Sequence, residues 1–114
     1  MEKHFIKNID FAKPLEFEGL VDYEEGRVVS RTLAQGKALS VTLFAFDKGE
    51  EISSHSAGGD AMVYILDGES EITIGDEKFN VKKGETIVMP AHVAHALLAV
   101  EKFKMLLVVV FSLT

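Results

Sequence analysis

The amino-acid sequence predicts an all-β fold, a sandwich or barrel of short strands, on three observations. From Arg27 onward the chain is a succession of β-like runs punctuated by glycine and proline. Between those runs no stretch carries apolar residues at helical spacing. The segment "ESEITIGDEKFNV" alternates apolar and polar residues on either side of Gly75 and Asp76, which reads as a hairpin with one wet face.

Residues 1–26, with "FAKPLEFEG" and "DYEEG", fit an N-terminal arm, edge strands or a short helix, and no chemistry is assigned to them. The barrel is placed in residues 27–114. Its runs are "RVVSRTLAQG", "ALSVTLFAFDKG", "AMVYILDG", "ESEITIGD", "EKFNVKKG", "ETIVMP", "HALLAV" and "KFKMLLVVVF". The last contains "MLLVVVF", Met105 to Phe111, which lacks alternation. In a β protein that means a strand buried on both faces, one toward the core and the other toward a second sheet or a second subunit.

The composition narrows the function classes. A chain of 114 residues, 47% hydrophobic and 26% charged, is a single domain, 1–114, able to bury one core. Twelve Lys and Arg against eighteen Asp and Glu give a net charge of -6, spread in short alternations with no basic patch, so nucleic acid is not expected as a partner. There are no cysteines, which excludes disulfides, thiolate metal sites and Cys nucleophiles. Any metal must use His, Asp, Glu or water. "MEKHFIKNIDFAKP" lacks a signal-peptide apolar stretch, and "MLLVVVF" is far short of the ~20 residues of a membrane helix. A soluble cytoplasmic protein with no membrane partner is expected.

Chemistry concentrates in two stretches, "GEEISSHSAGGDAMVYILDG" at 49–68 and "GETIVMPAHVAH" at 84–95. Gly49, His55 and Gly68 in the first, with Gly84, Pro90 and His95 in the second, resemble the two motifs of the cupin family. The resemblance is to a small single-domain RmlC-like cupin and covers most of residues 36–111. It implies a jelly-roll barrel (double-stranded β-helix), usually a homodimer, whose mouth holds a metal on three histidines and one glutamate. Position by position, His55 matches the first histidine and His95 the last. Ala57 stands at the second histidine and Ala61 at the glutamate, so half the ligand set is absent and the metal motif is degenerate.

Two histidines alone hold a metal weakly, because catalytic zinc takes three protein ligands and non-haem iron two histidines with a carboxylate. Asp60, one residue before the glutamate position, is one candidate for the third ligand. Strand alternation points it away from the interior unless Gly58 and Gly59 absorb a shift, and its competing role is a turn carboxylate bonding backbone N–H groups. His92 is the other candidate. Its odd spacing from His95 sends it to the opposite face unless it lies in the turn after Pro90, and a rim position is its competing role. His4 lies in the arm. For His55 and His95 themselves the competing role is a metal-free pair satisfied by water, each other or a backbone carbonyl.

Alternation places Ala57, Ala61, Val63 and Ile65 on the side of His55, and Leu97 and Ala99 on the side of His95. The alanines leave room for a concave apolar pocket lined by His55, Ala57, Ala61, Val63, His95 and Leu97, unless Phe44, Phe46 or Met89 fills it. Met62 and Tyr64 fall on the opposite side as packing residues. Arg31 and Gln35 lie within reach of the pocket or at a sheet edge. The expected function is binding of a small, partly apolar molecule, with or without a loosely held divalent metal (Zn, Fe, Mn or Ni). The alternative is a metal-dependent oxygenase or isomerase using His55, His95 and Asp60 or His92. A third class is a sensor or accessory subunit acting through dimerisation.

Overall fold

The computed structural model describes residues 3–113, and these form nine antiparallel strands in two packed sheets and no α-helix. The strands are β1 (Val28–Gln35), β2 (Leu39–Phe46), β3 (Glu51–His55), β4 (Asp60–Asp67), β5 (Glu69–Ile74), β6 (Glu77–Lys82), β7 (Thr86–Met89), β8 (His95–Leu98) and β9 (Phe103–Val110). The expected runs all become strands. β3 is the strand that the apolar pattern does not mark, because in "EISSH" only Ile52 is apolar.

One sheet has the order β1-β2-β9-β4-β7 and the other β3-β8-β5-β6. Short connections join β2 to β3, β4 to β5, β6 to β7 and β8 to β9, so each strand of the smaller sheet lies under its sequence neighbour in the larger one. β1 is left without a counterpart. This is the double-sheet jelly-roll arrangement, and the β5–β6 hairpin turns through Gly75 at φ 59°, as the sequence pattern requires.

Alternation sorts each strand into an inner and an outer face. Phe46, Ala61, Val63, Ile65, Phe103 and Met105 from the large sheet meet Ile72, Val81 and Leu97 from the small one in a closed core. The rings of Phe46 and Phe103 stack there at 4.4 Å between centroids. β9 is the middle strand of its sheet, flanked on both edges, so the unalternating run from Met105 has one face in this core and the other outside.

The N-terminal residues behave as an arm. Lys7 N–H donates to the Leu33 carbonyl and the Asn8 side-chain amide to the Thr32 carbonyl, both at 2.8 Å. Beyond a 3-10 turn at Phe17–Leu20, Val21 packs with Leu33, Leu43 and Ala45 in a second buried cluster on the outer face of the large sheet. Tyr23 donates to the Asp67 carboxylate at 2.6 Å, and the buried Lys104 ammonium donates to the Glu18 carbonyl. Arg31 belongs to this outer side. It stands opposite Leu43 and donates to the Asn8 carbonyl, so it does not reach the barrel mouth.

Candidate functional site

β2 and β3 are joined through residues 47–50, which brings the Leu39 end of β2 and the His55 end of β3 to the same end of the barrel. His55 ends β3 and stands directly opposite His95, the first residue of β8. Ile52 opposes Leu97 with three steps to His55 on one strand, but only two steps separate Leu97 from His95 on the other. The register shift between Ile52 and His55 supplies the extra residue, and it lets both His55 and Ile52 face inward despite their odd spacing.

The two imidazoles meet edge to face, 4.4 Å between ring centroids. His55 Nδ1 lies 3.0 Å from the Ser53 carbonyl and His95 Nδ1 lies 3.3 Å from the Val93 carbonyl. A carbonyl only accepts, so each Nδ1 carries a proton, and in the neutral imidazole Nε2 is then left as a bare acceptor. No other group among the described residues bonds them. His55 is exposed, while His95 is buried with 4% of its surface accessible.

Burial, and secondarily the neighbouring His55, hold the His95 imidazole below its ordinary value of 6.5, while its bond to the Val93 carbonyl works in the other direction. The consequence for stability has a definite sign. Above 6.5 both folded and unfolded chains carry a neutral His95, and as pH falls below it the unfolded chain takes up the proton first. Folding stability therefore drops with acidification through that window and levels off below the lowered folded value. Thermal melts from about pH 8 to about pH 5 should show this loss in the wild type and a smaller loss in His95→Gln.

The other candidates are placed elsewhere. Asp60 stands opposite Val110 on the outer side of its strand, and its carboxylate accepts the Ala91 N–H at 2.8 Å. This is the turn-carboxylate role; Gly59 closely approaches the Val110 carbonyl rather than swinging Asp60 inward. His92 does lie in the turn after Pro90, at φ 64°, but it is exposed, and its N–H donates to the Ala57 carbonyl at 2.8 Å. These two bonds stitch the loop after β3 and the start of β4 to the loop before β8. His4 lies in the arm with its ring 4.3 Å from that of Phe11. Among the described residues no three His, Cys, Asp or Glu side chains form a group that could hold a metal ion. The donor set present is thus two imidazoles, short of the three protein ligands of a catalytic zinc site.

The expected pocket lining also divides. Ala61, Val63 and Leu97 are 3%, 0% and 2% exposed and belong to the packed core with Met89, while Phe44 packs against it. They form a closed floor rather than an open cavity, and the half-buried Ala57 and exposed His55 mark the rim. Met62 and Tyr64 are not packing residues within the chain, being 45% and 41% exposed on the outer face.

Apolar patterning passes over a set of polar residues at the same end. Thr42 opposes Leu107, itself opposite Val63; Ser40 opposes Val109, itself opposite Ala61. Ser40 and Thr42 therefore share the inner face with the core, and on β1 Thr32 stands opposite Thr42 and Gln35 opposite Ser40. The signal was available in "LSVTLFAF", where Ser40 and Thr42 alternate in phase with Phe44 and Phe46.

Comparison with known proteins agrees with this architecture. A Streptococcus pyogenes protein described as conserved and of unknown function superposes with a TM-score of 0.96 at 51% identity over 98% of both chains. A cupin superfamily protein from Desulfitobacterium hafniense superposes with a TM-score of 0.89 at 34% identity, over 94% of this chain and 98% of that one. An uncharacterized protein of Streptomyces coelicolor is 35% identical over 57 residues, 50% of this chain and 54% of that protein, so the match spans about half its length. Residues 42–111, from the middle of β2 past the end of β9, match the cupin domain. With the jelly-roll topology, and with His55 and His95 facing each other at the mouth, these matches establish that the chain belongs to the cupin family.

Proposed function

We propose that this protein binds a small molecule at the barrel mouth, with the Nε2 atoms of His55 and His95 as its polar contacts. The supporting observation is the pair of imidazoles in cross-strand register whose Nδ1 atoms are occupied by backbone carbonyls and whose Nε2 atoms have no partner. A ligand bringing hydrogen-bond donors satisfies both at once, and the apolar floor beneath them holds its carbon skeleton. A divalent ion would rest on two imidazoles and water, which makes it loosely held and favours binding over the metal-dependent enzyme reading. The test is a neutral fragment set followed by amide NMR, together with calorimetric titration of Zn²⁺, Fe²⁺, Mn²⁺ and Ni²⁺. Fragments should shift His55, Ala57 and His95, and His55→Ala and His95→Ala should each abolish the shifts. Tight binding of an ion retained in both variants would contradict this reading.

The proposal extends to a homodimer. Ala34, Val41, Val108, Met62 and Val88 form one uncharged row across the outer face of the five-stranded sheet, centred on β9. The arm-side cluster reaches Val41 at one end of this row, while Met62 and Val88 toward the other end remain 45% and 52% exposed. A stripe centred on the middle strand is self-complementary about a two-fold axis, so a second copy is the partner that fits it. Light scattering should give twice the chain mass of 12.5 kDa for the wild type and the chain mass for Met62→Glu/Val88→Glu, whose substituted sites are exposed and should not disturb folding. A monomeric wild type would contradict this pairing.

A further inference from the structure

We infer that the molecule taken up at this mouth is a neutral polyhydroxylated one, a polyol or sugar; the inference rests on the binding reading above and specifies its ligand. Ser40, Thr42, Thr32 and Gln35 lie on the inner face of β1 and β2, at the end of the barrel occupied by His55. β1 has no strand of the small sheet beneath it, so this inner face stays open along the edge of β3. The burial of these residues agrees: Ser40, Thr42 and Thr32 are half-buried and Gln35 is exposed.

None of these side chains forms a hydrogen bond to another described residue. The inward, buried Ser70 of the small sheet is by contrast engaged, its hydroxyl donating to the Leu98 carbonyl. The wall thus offers hydroxyls and an amide, each able to donate and accept, at the same end of the barrel as two imidazole acceptors that need donors. A run of O–H groups satisfies both sides, whereas an apolar ligand would cover them and leave them unpaired, which is unfavourable. The charge pattern narrows the class. Asp, Glu, Lys and Arg are absent from the inward positions of β1, β2, β9 and β4 and of β3 and β8, so a carboxylate, phosphate or ammonium ligand would be desolvated without a counter-charge. Phe44, half-buried between Ser30 and Met105 on the same face, supplies a surface for the carbon side of such a ring.

The experiment titrates myo-inositol, mannose and galactose into the full chain, with glucuronate and cyclohexanol as the charged and apolar comparisons. Amide spectra read the site. The neutral polyhydroxylated probes should shift Thr32, Ser40 and Thr42 together with His55 and His95, and at least one should bind roughly tenfold more tightly than glucuronate or cyclohexanol. Thr42→Val and Ser40→Ala conserve shape, and each should weaken that binding by about fivefold or more without changing the melting temperature appreciably. Shifts at the histidines from cyclohexanol or other neutral fragments, with none from the polyols or no effect of Thr42→Val, would overturn this inference and leave the binding reading standing. Silence at His55 and His95 with every probe and fragment would overturn both.

Discussion

Ala57→His combined with Ala61→Glu should leave the apo protein several kcal/mol less stable and make it gain metal-dependent stability that the wild type lacks. Ala61 is 3% exposed on the inner face, opposite Met89 on one side and Val109 on the other. A glutamate there has no counter-charge in this apolar setting, so its carboxylate either protonates or loses hydration without compensation. A histidine at 57 in the mouth loop adds the third imidazole, and His55, His95 and the two new groups would complete a four-ligand set. Binding to the folded state alone adds stability as ligand concentration rises, about 2.7 kcal/mol at a hundredfold excess over Kd. Melts with and without Zn²⁺, Fe²⁺ or Mn²⁺ should show a large apo loss and a recovery only in the double variant. A folded double variant with no metal-dependent recovery would show that positions 57 and 61 do not converge on the two histidines.

Gly68→Ala should be nearly as damaging, about 3 kcal/mol or more, and independent of metal. The residue sits between β4 and β5 at φ 70°, in the left-handed region, and a Cβ built on it would run into the Lys102 carbonyl oxygen. That oxygen is backbone at the entry to β9, so relief requires moving the middle strand of the large sheet. Gly58 is the control, with negative φ and nothing within 4 Å of a built Cβ, and Gly58→Ala should stay within about 0.5 kcal/mol of wild type. Urea denaturation of both variants measures the contrast. Equal stabilities would mean that the close approach at Lys102 is relieved at little cost.

The sequence is legible where one physical period dominates. Strands with an apolar inner face, such as β4 with Ala61, Val63 and Ile65, announce themselves by alternation, and the two-sided apolar β9 by its lack of it. β3 escapes because its inward positions include a histidine, and a register shift breaks the alternation between Ile52 and His55. Yet that strand carries His55, one of the two facing histidines. The His55–His95 pairing was legible through motif spacing, whereas the filling of the space behind it was not. Whether alanines open a pocket depends on Met89 and Phe44 from other strands, a matter of packing and not of local pattern. Arg31 and Gln35 share a face by simple alternation, but the register shift between Thr32 and Ala34 puts Arg31 on the outer face and Gln35 on the inner one, which no local pattern announces. Alternation puts Met62 and Tyr64 on the outer side of their strand, but nothing local tells whether that side is covered.

The most direct test of the binding site is the protonation pattern of its two histidines, read from long-range proton–nitrogen spectra of the chain's 4 histidines near neutral pH. Because Nδ1 of each faces a backbone carbonyl, the neutral form of both His55 and His95 should be the Nδ1–H tautomer, with Nε2 unprotonated. On addition of a fragment that binds, the Nε2 resonances of these two should move together, as each accepts a hydrogen bond, while those of His4 and His92 stay in place. An Nε2–H tautomer at either residue, or bound fragments that leave both Nε2 resonances unmoved, would contradict the account.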